Sequence, residues 1–311
     1  PLTGDIQDAI LCIHNMHNIC AMKGTAMAIL DVNHICKSFG PFAIKDISFE
    51  IEPGYIVGFI GRNGAGKTTT LKSILGVTKV DSGSVTYMGK STADSNVKQE
   101  LGIILGEFTY YRHVKIAKLT KAVKRFFVNW NDDTYNEYIR RFGIDENKRV
   151  KELSSGMKVK YSLAIALSHE AKLLILDEPT SGLDPISRDE ILDIFRSIVA
   201  DGEHSILFST HITSDLDKCA DYVIYIKNGE ITMSGDREEI INGFRLVQGG
   251  MDALTPELEH RLIGYKTNAF GFSGLIREDD IEIAKDLMTA RADIESIMLY
   301  NEKYVNEEAM K

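Results

Sequence analysis

The chain has 311 residues, 44% hydrophobic and 26% charged, enough for a sizeable core and long for one domain, so one main domain with appendages is expected. Its formal net charge of -9 argues against a protein that coats nucleic acid or anionic lipid by bulk electrostatics. No apolar run approaches the ~18 residues of a membrane-spanning helix, and Cys12, Cys20, Cys36 and Cys219 show no paired framework, which fits a reducing cytosol better than a disulfide scaffold.

Residues 1–26 are expected to be an extension outside the fold. Met22 and Met27 both precede Ala28 to Val32, which alternates as a strand does, and the domain start is placed near Met27. Cys12, His14, His17 and Cys20 are of zinc-ligand type, but their spacing matches no common zinc pattern.

Short strands and helices then alternate. Ile47 to Ile51 and Tyr55 to Ile60 read as strands with a turn at Gly54, the second apolar enough to be central in a sheet. That strand runs into Gly61-Arg62-Asn63-Gly64-Ala65-Gly66-Lys67-Thr68-Thr69, which is G-x-x-x-x-G-K-[ST] in the required strand-loop-helix context. The glycines let the backbone wrap phosphate oxygens, Lys67 can reach the β- and γ-phosphates, and the Thr68 hydroxyl can ligate Mg²⁺.

Ile116 to Trp130 and Thr134 to Phe142 read as amphipathic helices, with Leu119, Val123 and Phe127 sharing a face. Lys118, Lys121, Lys124 and Arg125 on the same run read as a solvated basic face. A turn follows at Leu153-Ser154-Ser155-Gly156-Met157-Lys158. A Ser-Gly turn opening a helix presents N–H groups and a hydroxyl to an anion, so Ser154 and Gly156 form a second phosphate-binding surface. If the two surfaces cannot reach one nucleotide within a single chain, the working site is shared between two chains.

Leu173 to Leu176 is fully apolar and ends in Asp177-Glu178. A buried parallel strand would deliver both carboxylates to the sheet edge where ligands bind, with Asp177 holding Mg²⁺ through water and Glu178 polarising the attacking water. Ser205 to Thr210 is another strand, ending at His211, whose imidazole can hydrogen-bond the γ-phosphate or that water. Tyr222 to Lys227 and Glu230 to Met233 flank Asn228-Gly229, a hairpin signal. In the tail, Gly264 to Thr267 reads as strand and Asp279 to Ala290 as helix. A second helix places Ile294, Ile297 and Met298 on one face.

Taken in order, these residues resemble the nucleotide-binding subunit of an ATP-binding-cassette transporter, over about Ala28 to Ile240. The family's phosphate loop is matched by Gly61 to Thr68, its signature by Leu153 to Met157, its magnesium-binding strand by Leu173 to Asp177 and its catalytic Glu by Glu178. Its D-loop is matched by Ser181-Gly182-Leu183-Asp184 and its switch histidine by His211. The resemblance implies an α/β fold: a P-loop NTPase (RecA-like) core with an antiparallel β subdomain and a small α-helical subdomain near residues 107–165. The cassette would span 27–242, followed by a small α+β extension over 243–311. It implies ATP and Mg²⁺ as cofactors, and Phe39 as the aromatic that stacks on adenine, with Phe42 the nearest alternative. It further implies two chains closing head to tail over two Mg·ATP, the second being a like or unlike nucleotide-binding subunit. The partners would be integral membrane permease subunits at the cytoplasmic face of the membrane, with no nucleic acid.

The sequence also departs from the family pattern. The signature usually reads Leu-Ser-Gly-Gly-Gln, whereas Ser155 and Met157 hold its third and fifth positions, and Gly106, followed by Glu107, holds the slot of the usual glutamine after a strand at Leu101 to Leu105. In the resembled family the small helical subdomain docks on the membrane partner, which makes Tyr110, Tyr111 and Trp130 either interface anchors or core aromatics. The segments around Phe208 to Asp217 and Ser181 to Pro185 look like bacterial exporters of the antibiotic-resistance, bacteriocin-resistance or sodium-extrusion kind. The alternative is a non-transport ATPase acting on a soluble assembly or nucleic acid. Such relatives usually carry a coiled-coil insertion, tandem cassettes or a basic surface, and no heptad run or basic balance is present here.

Overall fold

The computed structural model describes residues 27–106 and 111–308, with side chains as far as residue 302. The expected extension over 1–26, with Cys12, His14, His17 and Cys20, therefore lies outside the described residues, as do Glu107 and Tyr110. The chain forms two compact units that meet in sequence between Ser234 and Gly235.

In the first unit, β1 (Leu30–Phe39) and β2 (Phe42–Ile51) pair antiparallel from Leu30↔Ile51 to Phe39↔Phe42. The strand expected at Ala28 to Val32 is the start of this longer one, which continues through a bulge between Val32 and Ile35. β3 (Ile56–Ile60) is buried at every position, as a strand with parallel neighbours on both sides must be. It leads through the Gly-rich loop into α1 (Lys67–Ile74). β4 (Ser82–Tyr87) and β5 (Lys90–Ser91) complete a four-stranded sheet of order β2-β1-β4-β5.

The remaining elements of this unit are β6 (Leu101–Leu105), α2 (Ile116–Val123), α3 (Asp132–Arg141), α4 (Ser155–Leu167), β7 (Leu173–Asp177), α5 (Pro185–Val199), β8 (Ser205–Thr210), α6 (Thr213–Cys219), β9 (Tyr222–Lys227) and β10 (Glu230–Asp236). They form a second sheet of order β10-β9-β3-β8-β7-β6. β6 through β9 run parallel to β3, with Ile60 opposite Thr210 and Asp177 opposite Ser209. The C-terminal ends of β3, β7 and β8 thus share one edge, the edge at which open α/β sheets bind ligands. One apolar core joins the two sheets and α1, including Ile35, Phe49, Phe59, Leu71, Ile175 and Leu207. Burying each such side chain is worth about 1.5–3 kcal/mol.

The helix expected over Ile116 to Trp130 stops at Val123, and one 3-10 turn follows at Lys124–Phe126. Phe127 turns extended, and its ring stacks on His169 at a centroid distance of 3.8 Å. That tertiary contact outweighs the local periodicity that placed Phe127 on one face with Leu119 and Val123. The Thr120 hydroxyl bonds Tyr135 Oη at 2.7 Å and Tyr161 Oη at 2.9 Å, tying α2, α3 and α4 together. Tyr135 also donates to Glu146. Burial holds the Tyr135 phenol well above its usual range and pushes Tyr161 up to about 12.

The second unit adds α7 (Arg237–Asn242), β11 (Phe244–Gly249), α8 (Pro256–Arg261), β12 (Leu262–Asn268), β13 (Gly271–Arg277), β14 (Met288–Arg291) and α9 (Ile294–Glu308), with sheet order β12-β13-β11-β14. The strand expected at Gly264 to Thr267 is β12, and Ile294 and Ile297 are both fully buried on α9. The helix expected over Asp279 to Ala290 is not present. A 3-10 segment covers Glu278–Ala284, and Met288–Arg291 pairs with β11 instead. The open edge of β11 supplies ladder hydrogen bonds that local helical propensity cannot match.

Candidate functional site

The phosphate loop starts where β3 ends. Gly66, the residue before α1, has φ 116°, a backbone conformation L side chains rarely adopt, and a Cβ there would lie 3.2 Å from Phe42, Ile44 and Ile226. The positive φ favours glycine, and the three close side chains leave a Cβ little room. The loop is braced from behind by the β9–β10 turn: Gly229 N–H donates to Ala65 O at 2.9 Å, and Gly229 O accepts from Lys45 N–H at 2.8 Å. A Cβ at Gly229 would lie 1.9 Å from Ala43 O, so only glycine fits this approach.

Within the loop, Lys67 is 6% exposed. Its ammonium donates to Gly61 O at 2.7 Å and Arg62 O at 3.3 Å, and ion-pairs with Glu178 Oε1 at 3.1 Å. The other Glu178 oxygen, Oε2, meets His211 Nδ1 at 2.7 Å. The Thr68 hydroxyl donates to Asp177 Oδ2 at 2.8 Å. Lys67, Thr68, Asp177, Glu178 and His211 thus come together at the shared strand edge, although the last lies 34 residues beyond Asp177. Thr68 and Asp177 bring two hard oxygens together, the donor chemistry that suits Mg²⁺. Loop amides and a buried ammonium suit a polyphosphate.

Ser154 caps α4, accepting the Met157 N–H at 3.2 Å. Gly156 is buried in the first turn of α4, and a Cβ there would meet Ser187 Cβ at an ordinary 3.4 Å. Ser187 belongs to α5, whose cap is Asp184, the last residue of the expected D-loop: its carboxylate accepts the Ile186 and Ser187 N–H groups at 3.1 and 3.0 Å. Ser187, through its hydroxyl and N–H, holds the Asp184 carboxyl below the usual carboxylate range. The signature turn thus lies beside the start of the D-loop helix, whereas the hydrogen bonds and ion pairs of the phosphate-loop group run among the strand ends.

Phe39 lies at the end of β1, 48% exposed, with Lys37 Nζ 5.6 Å from its ring centre. Phe42 is half-buried and packs on the core beside Gly66. Gly106 follows β6 at φ 72°. Trp130 is taken up locally, its indole N–H donating to Asp132 and its ring tilted against Tyr135. Tyr111 is exposed, as are Phe126 and Val128, which no periodicity singled out.

Two buried residues within the Phe208 to Asp217 segment, neither given a role of its own by the sequence, join the strand ends. The Ser209 hydroxyl accepts from Glu178 N–H at 2.9 Å and donates to Asp177 Oδ1 at 2.6 Å. Asp215 Oδ2 accepts from the Thr180 and Thr210 hydroxyls at 2.6 and 3.3 Å, and Oδ1 lies 3.9 Å from Arg188 Nε. Burial raises the Asp215 carboxyl above its ordinary value, against the pull of the Thr180 hydroxyl and Arg188. The signals available in sequence are slight: a serine ending an apolar strand, and an acid in the first turn of the following helix.

A phosphate loop between a buried parallel strand and a helix, facing two carboxylates at the end of β7, one strand removed in the same sheet, defines a phosphate-loop NTPase. Comparison with known proteins agrees. The family described as ABC transporter matches residues 44–181. The ABC transporter ATP-binding protein YxlF of Bacillus subtilis is 33% identical over 215 residues, covering 68% of this chain and 72% of its own. The lantibiotic transport ATP-binding protein SrtF of Streptococcus pyogenes is 31% identical over 223 residues, covering 69% and 96%. A solved ATP-binding subunit of an ABC transporter superposes with a TM-score of 0.61 at 26% identity, covering 68% of this chain and 91% of that one. The chain belongs to the ABC transporter family as an ATP-binding subunit, and it is an ATPase.

Proposed function

We propose that this chain powers export through separate membrane-spanning subunits, working with a second nucleotide-binding subunit at the cytoplasmic face of the membrane. The observation that carries the catalytic part is the continuous line from Lys67 through Glu178 to His211 beside the Thr68–Asp177 pair. Lys67 and the loop amides from Gly61 to Thr69 hold the phosphate tail of ATP, and Phe39 takes the adenine. Thr68 and Asp177 would hold Mg²⁺, which when bound neutralises phosphate charge. Glu178 orients and deprotonates the attacking water, with His211 fixing its second oxygen. Ser154 and Gly156 act on the nucleotide of the other subunit, through the hydroxyl and the N–H groups that open α4. The export direction rests on the likeness to SrtF, whose name assigns lantibiotic transport.

Two measurements test this reading. ATPase activity per mole of isolated protein should rise with concentration until dimers saturate; strict proportionality down to monomeric conditions would remove the shared site. The chain should also copurify with an integral membrane protein from detergent-solubilised membranes, and recovery only as a soluble protein would remove the transport role.

A further inference from the structure

Ser209 is fully buried at the end of β8, opposite Asp177 in the sheet register. Its single hydroxyl serves two neighbours at once: it accepts the backbone N–H of Glu178 at 2.9 Å and donates its proton to Asp177 Oδ1 at 2.6 Å. Each contact solves a distinct physical problem. Glu178 sits at φ 51°, the left-handed region that a non-glycine residue occupies at a cost. That turn swings its carboxylate off the line of β7 toward Lys67 and His211, and it persists only if its surroundings hold it. The Glu178 N–H, directed to a side-chain oxygen, is one such hold. Asp177 has two oxygens, and the proton from Ser209 occupies Oδ1, leaving Oδ2 for the Thr68 hydroxyl. A hydroxyl is the smallest group that can accept from one neighbour and donate to the next, and no strand side chain lacking an acceptor could do both.

We propose that Ser209 is a positioning residue for ATP hydrolysis, setting the backbone of Glu178 and the orientation of Asp177 through one hydroxyl. The inference rests on the roles given above to Glu178 and Asp177. Ser209 acts through the two carboxylate residues, by its bonds to the Glu178 N–H and Asp177 Oδ1. Residues that orient a ligand from behind in this way typically change metal affinity or activity by about 10–100-fold when removed.

The test compares Ser209→Ala and Ser209→Thr with the unaltered chain, measuring kcat, ATP affinity in EDTA, and the gain in ATP affinity on adding Mg²⁺. In Ser209→Ala, kcat is expected to fall by about tenfold or more and the gain from Mg²⁺ to shrink. ATP affinity in EDTA, which depends on the loop and Lys67, should hold. Ser209→Thr, which keeps the hydroxyl, should recover both losses. A kcat for Ser209→Ala within threefold of the unaltered chain, an unchanged Mg²⁺ gain, a Thr variant no better than Ala, or a parallel loss of ATP affinity in EDTA would each overturn the proposal. Glu178→Gln is the control for the underlying reading. Normal turnover in that variant removes the base role of Glu178 whatever Ser209 does, whereas an inactive Glu178→Gln beside an active Ser209→Ala removes the Ser209 proposal alone.

Discussion

The strand-end group and the signature turn, the two regions to which the proposed function gives phosphate contacts, are satisfied differently. At the strand ends, Lys67, Thr68, Asp177, Ser209, Glu178 and His211 close on one another with contacts of 2.6–3.1 Å, all within one chain. At the signature turn, Ser154 meets the N–H of its own helix, and Gly156 rests beside Ser187. The first region is a closed network in which each side chain is oriented by another, the arrangement expected of a site that stabilises a charged transition state. The second is a helix start, whose first N–H groups an α-helix leaves without intrahelical partners, and in the proposed function it acts on the nucleotide of the other subunit.

The sharpest test of this contrast is Glu178→Gln. Turnover is expected to fall by roughly 10²–10⁴, the usual worth of a positioned general base, while ATP still binds. Single-turnover hydrolysis beside a nucleotide-binding titration checks it, and a near-normal rate would mean the strand-end group is not the catalytic half. Next comes Gly156→Asp. A Cβ fits there at 3.4 Å from Ser187, so the fold should survive, but a carboxylate facing another chain's triphosphate costs several kcal/mol. Activity at saturating protein should drop at least tenfold or so, with ATP binding to the isolated chain unchanged. If ATP binding to the monomer falls too, the two surfaces serve one nucleotide and the contrast is broken.

Ser154→Ala has a smaller effect. Losing the cap of α4 should destabilise the chain by about 1 kcal/mol, read as a lower denaturant midpoint at unchanged slope. An unchanged midpoint would show that the turn is held by something other than its cap. The smallest effect concerns pH. The Asp215 carboxyl is held above its ordinary 3.8 in the folded chain, so the folded state binds that proton more tightly than the unfolded chain. Its contribution to stability is therefore full below pH 3.8 and is lost as pH rises through the raised folded value. Asp215→Asn should remove this component, so the stability difference between variant and unaltered chain should change with pH in that window. A constant difference would show that Asp215 is ionised in the folded state as readily as in the unfolded chain.

The sequence alone determined the α/β class, the position of the phosphate loop, the two carboxylates and the hairpin at Asn228-Gly229, because each is set by local chemistry. A Gly-Lys-Thr run, an apolar strand ending in acids and an Asn-Gly pair impose their geometry within a few residues. What lies between elements could be settled only by the fold. Phe127 leaves its helical face for the ring of His169, and Met288–Arg291 becomes a strand because the edge of β11 is open to it. Ser209 and Asp215 are given no role of their own by the sequence, and each gains its meaning from a neighbour more than thirty residues away in sequence, brought to hydrogen-bonding distance by β8 and α6. Short-range steric and hydrogen-bonding preferences are written in consecutive residues. Contacts across a sheet depend on which strands pair and in what register, and that is a property of the whole chain.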